Sequence, residues 1–267
     1  MTRSRKKVPQ GDPHERLIEL AGALDLTTLA SSWTTLLEQA QAETLSFSDF
    51  AARLLRVELE ARETRKRERT LKRSRLGPPE GLKDFDFSIR PKLRSNVVME
   101  LLRCAWVRER RGLVLVGKQG TGKTRVAKAV GTAAVENGHS VLYVEHTSDM
   151  LDELRGARVD RTYQRALRRY AKPDVLILDE LGYQTLDQGA TNDLFRLVAA
   201  RHKKASTVVV SNTGFKEWHR FFPSVAQSVA TVDRLIDDAT ILRFTGKSIR
   251  KPRDVHGAQL EGEPEDE

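Results

Sequence analysis

Residues 113–124 read Leu-Val-Leu-Val-Gly-Lys-Gln-Gly-Thr-Gly-Lys-Thr, an apolar β-type run entering a glycine-rich loop that ends in Gly-Lys-Thr. Gly117, Gly120 and Gly122 give the backbone conformations closed to other residues, so successive N–H groups can turn inward around an anion. Lys118, Gln119 and Thr121 complete the loop. Lys123 brings a point charge suited to β- and γ-phosphates, Thr124 offers a hydroxyl to Mg2+, and Arg125 follows in the first turn of a helix. That helix is apolar-periodic over 126–135 and turns its positive end toward the same anion. Strand, loop and helix in this order predict an α/β domain that holds a nucleoside triphosphate by its phosphates.

Further strands are expected at 140–144, 175–178 and 207–211, with 241–244 as a candidate last one, and helical patterns lie between them. Each run is apolar enough to be buried on both faces, which predicts a parallel sheet flanked by helices. Ligands of such sheets bind at the carboxyl ends of the strands. The third strand ends in Asp179-Glu180. Asp179 is placed to reach the Mg2+ that Thr124 touches, and Glu180 to orient and deprotonate an attacking water. The fourth ends in Ser211-Asn212, where an amide suits a contact to a γ-phosphate or to that water; closing the strand by turn chemistry is the alternative use.

Upstream of Gly77-Pro78-Pro79 the periodicity is helical throughout. Leu17, Leu20, Ala21 and Leu24, then Leu29, Trp33, Leu36, Leu37 and Ala40, then Phe50, Ala51, Leu54 and Leu55 mark a three-helix unit over 1–76, with Thr27 and Ser46 as expected N-caps. The α/β domain follows over 77–254, and an acidic tail over 255–267. The chain carries 46 Lys+Arg against 37 Asp+Glu, and residues 62–75 hold eight bases and two acids. Alternating signs would neutralise a helix made only for solubility, so this segment reads as a nucleic-acid contact projecting into solvent, with a solvated polar helix face as the alternative use. No segment suits a membrane span or secretory signal, and the single cysteine, Cys104, fits core packing in a reducing cytoplasm. The six histidines show no metal-ligand spacing.

These residues resemble one family. Phe85-Asp86-Phe87, the phosphate loop, Leu178 to Tyr183, Ser211-Asn212 with Trp218, Asp233-Arg234-Leu235 and Gly246 to Arg250 together resemble the IstB-like ATPases, AAA+ helpers of insertion-sequence transposition related to DnaC-type helicase loaders. The resemblance implies ATP and Mg2+ as cofactors, Asp179 and Glu180 as the Walker B pair and Asn212 as the first sensor. It also implies that Arg234 is an arginine finger acting on a neighbouring subunit's ATP, and that Arg250 is a second sensor, here preceded by Ile249 where the family pattern has an aromatic residue. The partners it implies are double-stranded DNA, the transposase of the same element and further copies of this chain. For DNA, the candidates are Arg65, Lys66, Arg69, Lys72, Arg73 and Arg75, and Arg155, Arg158 and Arg161 in an arginine-rich stretch that continues to Arg169. Some of these are expected to pair with Asp152, Glu153 or Asp160. The alternatives are a helicase loader, an ATP-driven assembly switch with negligible hydrolysis, and a small-metabolite kinase. Phe85 and Phe87 are the aromatic candidates for base neighbours.

Overall fold

A computed structural model of the chain describes residues 12–79, 81–246 and 248, and its contacts divide it between Arg69 and Thr70. The first unit holds three helices, α1 (Pro13–Ala23), α2 (Thr27–Ala42) and the start of α3 (Phe47–Ser74). Asp12 caps α1 through the His14 N–H, with Pro13 preset for the first turn, and Ser46 caps α3 through the Asp49 N–H. Ala21, Leu29, Trp33, Leu36 and Ala40 are buried, and the Phe50 ring lies 5.7 Å from that of Trp33.

Thr27 is not the cap of α2. Leu26 holds that position without a side-chain acceptor, and the Glu58 carboxylate of α3 takes over: its Oε2 accepts from the N–H groups of Thr28 (3.0 Å) and Leu29 (3.1 Å). Oε1 accepts from Arg62 Nε (3.1 Å) and Arg65 Nη2 (2.9 Å). Burial alone would raise this carboxyl, but the Leu29 N–H, Arg62, the Thr28 N–H and Arg65 together hold it below the usual range.

In the second unit, α4 (Ser95–Leu102) and α5 (Ala105–Arg108) precede β1 (Leu113–Gly117). Then come α6 (Lys123–Glu136), β2 (Val141–Val144), α7 (Thr147–Val159), α8 (Tyr163–Ala171), β3 (Val175–Leu178), α9 (Gln188–Arg201), β4 (Ser206–Ser211), α10 (Phe215–Trp218), α11 (Val225–Ile236) and β5 (Thr240–Phe244). The strands form one wholly parallel sheet in the order β2-β3-β4-β1-β5. Separate apolar clusters cover its two faces: Leu113, Leu115, Ile177 and Val208 join Val126 and Val130 on one, and Val114, Val116, Leu176 and Val209 join Leu154 and Leu194 on the other. That is why these strands read as continuous apolar runs rather than alternating ones.

Arg201 is buried at the amino end of the sheet, where it donates to the carbonyls of Tyr170 (3.0 Å), Pro173 (2.8 Å) and Ser206 (2.5 Å). Burial lowers its guanidinium to about 10, and the carbonyls compensate for the missing water. Cys104 is buried, and burial likewise raises its thiol to about 11. No described helix is long and apolar enough to cross a membrane.

Candidate nucleotide site

The phosphate loop leaves β1 at Gly117 and enters α6 at Lys123. Gly117 stands opposite Phe244 of β5, where a Cβ would come within 2.8 Å of the Phe244 Cβ. Gly122 has φ +91°, and a Cβ there would lie 2.6 Å from Phe85 Cε2. Any other residue would thus be strained at Gly122 and would collide with the ring beneath the loop. Phe85 therefore supports the loop from below and packs against Phe87, with ring centroids 4.8 Å apart. Lys123 Nζ donates to the carbonyls of Gly117 (2.7 Å) and Lys118 (2.8 Å), and Thr121 Oγ1 also donates to Lys118 (2.8 Å).

Above the loop is a cavity of about 160 Å3 lined by Gln119, Gly120, Thr121, Gly122, Lys123, Thr124, Asp179, Glu180 and Asn212. Residues far apart in sequence meet there because β1, β3 and β4 are parallel and all end at the same edge. Arg125 is not among the lining residues. Its guanidinium donates to the Gly81 carbonyl, with Nη2 at 3.0 Å.

Asp179 is buried, and its carboxylate accepts from the Glu180 N–H at Oδ1 (2.8 Å) and the Tyr143 hydroxyl at Oδ2 (3.0 Å), with Thr124 lining the same cavity. Burial pushes the carboxyl above the usual range despite these donors. A buried anion beside a hydroxyl is a hard-oxygen donor set that fits Mg2+, and a bound cation would offset the desolvation. Glu180 has a left-handed backbone, φ 54°, which turns the chain sharply after β3. Its Oε2 lies 2.7 Å from His146 Nδ1. The hydrogen bond to Glu180 holds the imidazole above its usual range. Just after His146, Thr147 ties α7 to the same turn, donating from its N–H (3.2 Å) and hydroxyl (2.7 Å) to the Asp179 carbonyl.

Neither His146 nor Tyr143 stands out along the chain as a neighbour of the acidic pair: the signal for His146 is its place two residues past β2 at the ligand-bearing edge, which a lone hydrogen-bonding histidine carries without any metal-ligand spacing. Among the described residues no group of three or more His, Cys, Asp and Glu side chains gathers into a metal site, so a cation here would rest on Asp179, Thr124 and the phosphates.

Arg234 does not join this cavity. It lines another, of about 250 Å3, with Gly112, Thr207 and Asp238 at the amino ends of the strands. There it donates to the Ala230 carbonyl (2.8 Å) and lies 4.8 Å from the centre of the Phe195 ring. Asp237 pairs with His202 and Lys203, and Asp238 with Arg111, so neither is the ion partner of Arg234. Arg250, Ile249 and the acidic tail lie outside the described residues.

The basic candidates separate by partner. Arg65 is bound to Glu58 and the Thr27 hydroxyl rather than projecting freely. Arg155 pairs with Asp187 and Arg158 with buried Asp193, not with the expected Asp152 or Asp160; Arg169 does pair with Glu153. Asp187 and Asp193 belong to the start of α9, brought beside α7 by the fold. Arg69, Lys72, Arg73, Arg75, Arg161, Arg165 and Arg168 are exposed, as is Lys66.

Five parallel strands in this order, with a phosphate loop after β1, an acidic pair after β3 and a polar residue after β4, define a P-loop nucleotide-binding domain of the AAA+ class. Solved structures sharing the fold include AMPPCP-bound DnaA from Aquifex aeolicus, at 19% identity and TM-score 0.53, covering 64% of this chain and 51% of that one. DnaI matches at 20% identity and TM-score 0.52, over 64% of this chain and 90% of its own. The IstB-like ATP binding protein family matches over residues 19–256, and the chain belongs to that family. A relative from Sinorhizobium fredii is 34% identical over 250 residues, 93% of this chain and 84% of its own length. One from Pseudomonas aeruginosa is 34% identical over 231 residues (86% and 87%), and one from Geobacillus stearothermophilus 30% over 236 residues (88% and 94%). Each of the three is named as an insertion-sequence ATP-binding protein.

Proposed function

We propose that this protein binds and hydrolyses ATP with Mg2+, and that the nucleotide state controls its assembly on double-stranded DNA during transposition, where it recruits the transposase of its own element. The observation that carries the reading is the single cavity where the phosphate loop, Asp179, Glu180 and Asn212 converge. The insertion-sequence relatives support the setting.

In this reading Lys123 exchanges the Gly117 and Lys118 carbonyls for phosphate oxygens, and the loop N–H groups cradle the β-phosphate. Thr124 and Asp179 would hold Mg2+, which neutralises phosphate charge when bound. The Glu180 carboxylate accepts the proton of the attacking water, and the Asn212 amide donates to the γ-phosphate or to that water. Arg234, remote from its own loop, is free to serve the nucleotide of a neighbouring copy, so the site is complete only in an oligomer. Arg161, Arg165, Arg168, Lys72 and Arg73 are exposed cations suited to phosphate backbones.

The test is ATP turnover with and without duplex DNA, beside Glu180→Gln. Loss of a general base should lower turnover by roughly 100-fold or more while ATP affinity stays within a few-fold. Equal near-zero rates in both chains would replace the enzyme with an ATP-binding switch.

A further inference from the structure

Asp179 is 3% exposed. A carboxylate so deeply placed needs a donor for each oxygen, or ionising it becomes costly. The Glu180 N–H serves Oδ1 at 2.8 Å, and the Tyr143 hydroxyl donates to Oδ2 at 3.0 Å. Tyr143 is itself buried on β2, in register with Ile177 of β3, and its ring packs in the cluster that covers one face of the sheet. Phenylalanine would fill that space equally well. The hydroxyl is therefore the informative atom, since a buried phenol must find an acceptor, and here the acceptor is the carboxylate beside the phosphate loop.

The neighbours close a circuit. Thr124 and Lys128 stand one turn apart on α6. Thr124 lines the phosphate cavity together with Asp179, while Lys128 Nζ lies 5.1 Å from the centre of the Tyr143 ring. The helix that receives the phosphate loop thus borders both members of the Tyr143–Asp179 pair, and a rotation of either side chain would disturb the other.

We propose that Tyr143 is a positioning residue for the metal-binding carboxylate: its hydroxyl orients Asp179 toward Thr124, presetting the oxygens that receive the Mg2+ of Mg-ATP. The inference rests on the reading of Asp179 and Thr124 as the metal side of the nucleotide site. Outer donors of this kind commonly control metal affinity by about 10- to 100-fold, because a ligand that must first be turned into place binds less well.

The experiment uses the full chain and Tyr143→Phe. ATP binding is titrated calorimetrically in EDTA and then at a series of Mg2+ concentrations, with thermal melting in parallel. The variant should keep metal-free ATP affinity within about two-fold and need about ten-fold more Mg2+ to reach half of the metal-dependent tightening. An unchanged or lower Mg2+ midpoint overturns the proposal, the latter because the phenol would then be competing with the metal for Oδ2. Loss of metal-free binding together with metal-dependent binding also overturns it, since that is the signature of a purely structural role. Asp179→Asn separates the layers: if that variant keeps the wild-type Mg2+ midpoint, the assignment of the metal site fails rather than the role of Tyr143.

Discussion

Glu58 offers a measurable test of how this chain converts charge into structure. Its side chain is 4% exposed, while those of Arg62 and Arg65 are 50% and 40% exposed. The two guanidiniums, half in water, contribute about 0.5 kcal/mol each as ion pairs. Capping two otherwise orphaned N–H groups of α2 contributes about 2 kcal/mol, the upper end for a single side-chain cap. Glu58→Ala should therefore cost about 3 kcal/mol, equivalent to roughly 150-fold faster exchange of the α2 amides where exchange reports opening free energy. Glu58→Gln can turn its carbonyl to Thr28 and Leu29 and lose only the arginines, costing about 1 kcal/mol or roughly five-fold. Hydrogen exchange read by mass spectrometry on peptides from α2 measures both. The pH dependence carries a sign as well. Because the folded carboxyl lies below its ordinary value, its stabilisation is fully present above about pH 4.3 and is lost as pH falls through the folded value. Equal acceleration by Ala and Gln, or less than five-fold acceleration by Ala, would refute the cap.

The other predictions concern the second unit. Asp179→Asn should raise the melting temperature of the nucleotide-free protein by a few degrees, about 1 kcal/mol, while abolishing Mg2+-dependent tightening of ATP binding. Burial holds this carboxyl above its ordinary value, so its charged form costs stability once pH exceeds the unfolded value, and scanning calorimetry should show the gain shrinking toward pH 4. Arg158→Ala should destabilise by about 2 kcal/mol, discounted because Arg158 is 40% exposed, since it leaves buried Asp193 with only the Tyr163 hydroxyl. Denaturant melts would show that loss. Arg161→Ala should leave melts unchanged and instead lower the salt slope of duplex-DNA binding by about one, measured by fluorescence anisotropy across a salt series.

Much of this protein was determined along the chain. A phosphate loop needs glycines at fixed spacing, and a sheet buried on both faces needs uninterrupted apolar strands, so both are written in consecutive residues; Asp179 and Asn212 follow because strand ends can be located the same way. Only the tertiary structure decided which charges were already taken. Glu58 reaches α2 across about thirty residues, Arg155 and Arg158 find Asp187 and Asp193 rather than the acids beside them, and His146 and Tyr143 meet the acidic pair through the pairing of β2 with β3. The physical reason is range. Backbone conformation and burial periodicity are set by near neighbours, whereas a buried or half-buried charge is satisfied by whichever opposite group the packing brings within about 3 Å, and sequence distance does not enter that choice.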